Sequence, residues 1–189
     1  DIQRSRGLGD VYKRQTIKNV GLFDLTPFSK FEIKSDKAHQ ELQRICTANI
    51  KKDVGKCTYT HMLNSDGGIE TDLTIVAIDE NHFRIISSAA TRERDKHHIK
   101  KHLNKDIELK DVTDDYCVFG LFGPKSRNLL SSLSKDNFDN KNFKFGTAKF
   151  ISIEDTKIWT QRLSYVGELG YELYVKACLL YTSPSPRDL

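Results

Sequence analysis

The chain is poor in cysteine and has no long hydrophobic run. Its four cysteines are spread over 189 residues, and no two of them have CxxC spacing. Such a set argues against a zinc site or a disulfide framework, and it predicts reduced thiols in a cytoplasmic protein. No apolar run approaches the ~20 residues needed for a membrane-spanning helix, so we expect no membrane partner.

The sequence also has little excess of one charge over the other. The sequence has 30 basic and 26 acidic residues, which gives a formal net charge of +4. A charge this close to zero leaves no electrostatic footprint for a nucleic acid. We therefore expect no nucleic-acid partner.

The two ends of the chain have an unusual relationship at the DNA level. Ser5–Gln15 and Cys178–Asp188 can be encoded by one DNA string and its reverse complement, the second read one base out of frame. Natural coding ends have no reason to form such an inverted repeat. We interpret residues 1–15 and 178–189 as translated sequencing adapter, to be excluded from fold reasoning. The remaining segment, 16–177, is expected to be truncated at both ends.

The most informative segment is Tyr165–Val175, which is rich in tyrosine, glycine and carboxylates. Gly167 and Gly170 allow a tight turn and a close approach to a ligand. Apolar residues then alternate with Glu172 and Tyr174, which predicts a strand with Glu172 directed away from the apolar face. A carboxylate beside aromatic rings suits a flat, nitrogen-rich heterocycle. An ordinary tight turn at a half-buried sheet edge is the alternative.

A second segment predicts a hairpin. Strands are expected at 57–62 and 73–78, separated by the turn 64–68. Tyr59 and Asp72 flank this turn, so the hairpin could bring a phenol and a carboxylate to one ligand. We expect Asp72 to be partly desolvated, with a tunable proton affinity. The alternative is an aspartate that merely ends a turn.

Two further features are weaker candidates for chemistry. His98 and His102 are four apart on a predicted helix, a spacing that can chelate metal. Lysines surround them and no third ligand is evident, so a solvated helix face and no metal are expected. Cys57 and Cys117 lie in apolar strand-like runs, where cysteine is usually a small buried hydrophobe.

The pattern of elements predicts an α+β fold with mostly antiparallel sheets, because hairpins and short crossovers dominate. A helix after Gly123-Pro124 is expected to direct Leu129, Leu130 and Leu133 inward. A short strand is expected at 143–145.

Several motifs occur together in the order and spacing of a known family. These are Val20–Leu25, Tyr59–Leu63, Gly67–Leu73, Gly120–Pro124 and Tyr165–Val175. With them, the chain resembles the aminomethyltransferase folate-binding family, across essentially all of 16–177. That family includes the glycine-cleavage T-protein and the folate domain of dimethylglycine and sarcosine dehydrogenases. The residues of the motifs are more similar to those of the dehydrogenase branch.

The resemblance implies a tetrahydrofolate site and roles for four residues. Asp72 matches the family's essential aspartate, which positions and deprotonates the folate N10 and does not itself attack. Tyr59 and Tyr165 match tyrosines that pack near the folate. Glu172 matches the glutamate that pairs with the pterin amino and ring nitrogens.

The resemblance also implies a domain division. A folate-binding lobe is expected at 16–29 and 131–177, interrupted by a ferredoxin-like lobe at 30–130. The expected function is one-carbon transfer to tetrahydrofolate from a methylated amine or its iminium, within a dimethylglycine or sarcosine dehydrogenase-like enzyme whose FAD domain lies upstream.

Two alternatives remain. The first is a stand-alone glycine-cleavage T-protein, whose partner is a lipoyl carrier protein. The second is a non-catalytic folate-binding protein of iron–sulfur maintenance. That group carries a cysteine signature, and the corresponding place here, 163–168, has no cysteine.

Overall fold

The computed structural model describes residues 14–164 and 166–180. The chain divides into two compact units, one formed by Thr26–Tyr116 and the other by the segments on either side of it. Each unit contains one five-stranded sheet. The α+β class and the antiparallel sheets expected from the sequence are confirmed.

The strands and helices are numbered in chain order. The strands are β1 (Gly21–Asp24), β2 (Ser29–Lys34), β3 (Cys57–Leu63), β4 (Ile69–Asp79), β5 (His82–Ser87), β6 (Leu109–Asp111), β7 (Tyr116–Phe122), β8 (Thr147–Ile153), β9 (Thr156–Arg162) and β10 (Gly170–Lys176). The helices are α1 (Ala38–Ile45), α2 (Arg92–His102), α3 (Ser126–Leu133) and α4 (Ala177–Leu180).

The Thr26–Tyr116 unit is built on a sheet with the strand order β3-β4-β5-β2-β6. Its neighbouring strands pair antiparallel. Apolar residues that alternate along β2, such as Phe31 and Ile33, are fully buried. They pack in one cluster with Leu42 of α1 and Ile99 of α2, so apolar burial holds both helices to the sheet.

The second unit has the strand order β1-β7-β10-β9-β8. Strand β1 pairs antiparallel with β7, with Gly21 opposite Phe122. On one face of the sheet Tyr171 is fully buried, and its ring contacts those of Phe138 and Phe143. These aromatic contacts hold the loop that precedes β8 against the sheet.

Two local expectations are wrong. Only Leu130 of the three leucines in α3 is buried, whereas Leu129 is 39% and Leu133 50% exposed. This short helix packs a single row of side chains onto the sheet. Residues 143–145 form no strand; Phe143 enters the core from a turn.

The division between the units differs from the expected one. Strand β7 was placed in the lobe at 30–130, but it pairs with β1 and lies beside β10, so 117–130 belongs with the outer segments. The assignment of the two units as a folate-binding lobe and an inserted ferredoxin-like lobe stays a prediction. So does the adapter origin of the ends, most of which lie outside the described residues.

Among residues 14–164 and 166–180, no helix is long and apolar enough to cross a membrane.

Candidate functional site

The β3–β4 hairpin brings Tyr59 and Asp72 together. Antiparallel pairing places Tyr59 opposite Thr74 and His61 opposite Asp72. The side chains of Tyr59 and Asp72 are therefore diagonal neighbours on one face of the hairpin. The Tyr59 hydroxyl donates a hydrogen bond to Asp72 Oδ2 at 3.2 Å. The His61 ring packs edge-on against the Tyr59 ring, with 5.2 Å between centroids.

Both members of this pair face solvent. Tyr59 is 54% exposed and Asp72 is exposed, so the expected partial desolvation of Asp72 is wrong. Asp72 is an exposed residue of β4 between the buried Thr71 and Leu73, and its side chain lies on the face opposite theirs. Partial burial of the phenol and the negative charge of Asp72 raise the pKa of Tyr59. Tyr59 therefore stays a hydrogen-bond donor at neutral pH, and Asp72 is accessible to a ligand.

Strand β10 carries Glu172 in the other unit. As expected, Glu172 lies on the face opposite Tyr171 and Leu173. It is nevertheless only 4% exposed, because both faces of this central strand are covered. The Tyr174 hydroxyl donates a hydrogen bond to Glu172 Oε2 at 3.1 Å.

Burial raises the pKa of Glu172 to about 7, and the hydrogen bond from Tyr174 offsets only part of this. Loss of hydration disfavours a buried carboxylate unless charged or multiple donors compensate. A carboxyl group that titrates near neutrality can change protonation state when a ligand with N–H donors arrives. Glu172 is thus suited to binding such a ligand.

The glycines before β10 have different roles. Gly167 has φ +75°, a left-handed conformation that glycine adopts at little cost. A Cβ on Gly170 would lie 2.5 Å from Phe122 Cδ1 and 2.7 Å from the Leu163 carbonyl oxygen. The close approach at Gly170 is therefore made by the protein's own side chain and backbone.

Two polar residues beside Glu172 were missed in the sequence. Gln161 lies directly opposite Glu172 in β9, and Trp159 lies opposite Tyr174. Both are buried. Neither amide atom of Gln161, nor Trp159 Nε1, has a hydrogen-bond partner among the residues the structure describes. Side chains alternate between the two faces along both β9 and β10. This alternation could have placed Gln161 and Trp159 on the face of Glu172 only if the pairing register of the two strands had been known.

The other candidate residues have these positions. Tyr165 lies outside the described residues. The rings of His98 and His102 are 4.4 Å apart. Within 14–164 and 166–180, no group of three or more His, Cys, Asp or Glu side chains is arranged to hold a metal ion.

Burial raises the pKa of the Cys46 thiol to about 12, with a small opposing effect from Thr60, so this thiol is unreactive at neutral pH.

The fold and these side chains define an α+β protein of two units, one formed from two separate segments and carrying a buried carboxylate that titrates near neutrality. The sequence model of the GCVT N-terminal domain matches residues 13–181. The chain belongs to the GCVT N-terminal domain family.

The proteins to which this chain is similar include a dehydrogenase and an aminomethyltransferase. Mitochondrial dimethylglycine dehydrogenase of Rattus norvegicus is 34% identical over 172 residues, covering 89% of this chain and 20% of that protein. An aminomethyltransferase of Halothermothrix orenii is 30% identical over 170 residues, covering 87% of this chain and 46% of that protein.

A solved structure has the same fold. The crystal structure of glycine cleavage system aminomethyltransferase T from Bartonella henselae matches with a TM-score of 0.75 at 20% identity, covering 89% of this chain and 46% of that chain. The chain thus spans less than half the length of these proteins. A cytoplasmic location stays a prediction, since the rat relative is named as mitochondrial.

Proposed function

We propose that this chain is the tetrahydrofolate-binding, one-carbon-transfer domain of an amine-oxidising flavoenzyme of the dimethylglycine or sarcosine dehydrogenase kind. The observation that carries the proposal is the buried carboxyl group of Glu172 on β10. Its position matches the residue for which the resemblance implies pterin binding. Similarity to dimethylglycine dehydrogenase over 89% of the chain supports the context.

The chemistry of the Glu172 surroundings fits a pterin. A pterin edge presents an amino group beside a ring N–H, and an ionised carboxylate accepts both as a charge-assisted pair of hydrogen bonds. Among the residues that the structure describes, a neutral donor, Tyr174, hydrogen-bonds to Glu172. Two ligand donors would lower the cost of ionising the buried group. In this role Glu172 fixes the orientation of the ring and does no chemistry itself.

Asp72 and Tyr59 would act at the reacting end. When bound, tetrahydrofolate supplies the nitrogen that accepts the one-carbon unit. Asp72 would accept the proton from that folate nitrogen. It would also orient the lone pair of the nitrogen toward the incoming carbon. Tyr59, which donates to Asp72 Oδ2, would keep the carboxylate oriented. Tyr165 is proposed as a ring neighbour of the folate on the resemblance alone.

The proposal assigns no residue of this chain to FAD. The flavin would belong to a part of the complete protein outside this chain, where the methylated amine is oxidised to the iminium that reaches this domain.

The proposal is tested by calorimetric titration of the complete protein with tetrahydrofolate. We expect binding, and we expect Glu172→Gln to weaken it about tenfold or more, because one charged acceptor pair is lost. Glu154→Gln, an exposed glutamate between β8 and β9 in the same unit, is the matched control and should bind normally. A wild-type protein that does not bind tetrahydrofolate contradicts the proposal.

A second candidate function is that of a stand-alone aminomethyltransferase, which the similarity to the Halothermothrix protein favours. Its donor would be a lipoyl carrier protein loaded with an aminomethyl group. The two candidates separate when the purified complete protein is supplied with each donor in the presence of tetrahydrofolate. Methylene transfer from dimethylglycine with a flavin absorbance spectrum supports the first; transfer only from the loaded carrier supports the second.

A further inference from the structure

The sheet face that carries Glu172 holds four neighbouring polar side chains. Gln161 and Trp159 alternate along β9, and they lie opposite Glu172 and Tyr174 of β10. Residues directly opposite each other in an antiparallel pair have Cβ atoms about 4.5–5.5 Å apart. The four side chains therefore form a compact two-by-two patch on one face.

Half of this patch has no hydrogen-bond partner within residues 14–164 and 166–180. Tyr174 and Glu172 hydrogen-bond to each other, whereas Gln161 Nε2, Gln161 Oε1 and Trp159 Nε1 have no partner among the described residues. Gln161 is 0% and Trp159 6% exposed. A buried amide without partners costs free energy, so native proteins rarely keep one without a reason.

The β8 neighbours of Gln161 on this face are apolar. On the β8 side its cross-strand partner is Ala148, whose side chain is a single methyl group. The next residue of β8 on this face, Phe150, packs edge-on against Trp159 with 5.0 Å between ring centroids. The Gln161 amide therefore lies between a small residue and the Glu172 carboxyl group.

An amide side chain has one donor edge and one acceptor edge, which complement a ring carbonyl that has a second ring N–H on the side away from the carboxylate. In a pterin the carbonyl lies next to the ring N–H that a carboxylate binds. Of the two ring orientations that the Glu172 carboxylate allows, the one with the carbonyl toward β9 places it beside the unpartnered Gln161 amide.

We propose that Gln161, assisted by Trp159 Nε1, is a specificity-determining residue that binds the carbonyl side of the heterocycle held by Glu172. This inference rests on the proposed function. Gln161 Nε2 donates to the ring carbonyl, Gln161 Oε1 accepts from the N5–H of tetrahydrofolate on the other side of that carbonyl, and Trp159 Nε1 supplies a further donor. The orphaned atoms are satisfied when the ligand is bound.

The test compares Gln161→Met with wild type in the complete protein, because methionine keeps the length of the side chain and removes both hydrogen-bonding groups. We expect affinity for tetrahydrofolate to fall about tenfold. The melting temperature without ligand should stay the same or rise, because a buried unsatisfied amide is removed. Trp159→Phe should lower affinity by a smaller factor.

Thr160→Val is the matched control. Thr160 is fully buried on the opposite face of β9, and its hydroxyl donates to the Ile158 carbonyl at 3.4 Å. This variant should leave the affinity unchanged, whatever it does to the melting temperature.

The outcomes separate the two proposals. If Glu172→Gln weakens binding and Gln161→Met leaves it unchanged, the role of Gln161 is wrong and the proposed function stands. A lower ligand-free melting temperature in Gln161→Met with unchanged affinity would make Gln161 a structural residue. If wild type does not bind tetrahydrofolate, the proposed function itself fails.

Discussion

Tyr174 and Glu172, two residues apart on one face of β10, are joined by a hydrogen bond of 3.1 Å between buried groups. One neutral hydroxyl does not replace the hydration that the carboxylate loses on burial. The pKa of Glu172 accordingly rises to about 7. Glu172 therefore links both the stability of this unit and its binding of ligands to pH.

Stability without ligand should fall as the pH rises from 4.5 to about 7. The ordinary pKa of a glutamate is 4.5 and that of folded Glu172 is about 7, so the folded state holds the proton more tightly. The contribution is complete below pH 4.5 and lost above pH 7, a change on the order of 3 kcal/mol. Urea unfolding at pH 5 and pH 8 measures it. Glu172→Gln is the control, and an identical pH dependence in that variant would refute the assignment.

Binding of tetrahydrofolate should strengthen as the pH rises toward 8. A ligand that offers N–H donors selects the ionised carboxylate, so below pH 7 binding must first release the proton from Glu172. The dissociation constant should increase up to about tenfold per pH unit below 7 and level off above it. Calorimetry in two buffers with different ionisation enthalpies counts the released protons. Proton release that persists in Glu172→Gln would point to another group.

Asp72→Asn should abolish most transfer and spare binding. Loss of a positioned general base costs about 100-fold or more in rate. Because Asp72 is exposed, the free energy of unfolding should change by less than about 0.5 kcal/mol. Methylene transfer and tetrahydrofolate affinity are measured on the same preparation. Asp66→Asn, an exposed aspartate in the turn of the same hairpin, should transfer normally, and normal transfer by Asp72→Asn would overturn the mechanism.

Gly170→Ala should destabilise the protein by about 1–3 kcal/mol, the usual range for overpacking. The added methyl would lie 2.5 Å from Phe122 Cδ1 and 2.7 Å from a backbone oxygen, neither of which can move freely. In the control, Gly68→Ala, the methyl meets only side-chain atoms of Asn64, at 3.1 Å or more, so a loss below about 1 kcal/mol is expected. Equal unfolding free energies for the two variants in urea would contradict this explanation.

Local patterns were enough to predict many elements of the fold. The β3–β4 hairpin was predicted from the two strand segments on either side of a glycine-containing turn. Alternation in β10 also predicted the face on which Glu172 lies. These features depend on short-range chemistry that a sequence displays directly.

Features that depend on tertiary contacts were not predictable in the same way. Leu129 and Leu133 have the spacing of a buried helix face, yet the sheet covers only one row of α3. The burial of Glu172 requires both faces of β10 to be covered. The partnership of Gln161 with Glu172 requires the β9–β10 register, which joins residues on separate strands.

The pairing of β1 with β7 also constrains the order in which the protein can fold during synthesis. Gly21–Asp24 leaves the ribosome before the inner unit, and its partner strand, with Gly21 opposite Phe122, is made only after the whole of Thr26–Tyr116. The inner unit is one continuous segment and can condense while the chain is still growing. Strand β1 stays unpaired until β7 has been synthesised. The protein is therefore most exposed to misassembly in the interval before Phe122 emerges.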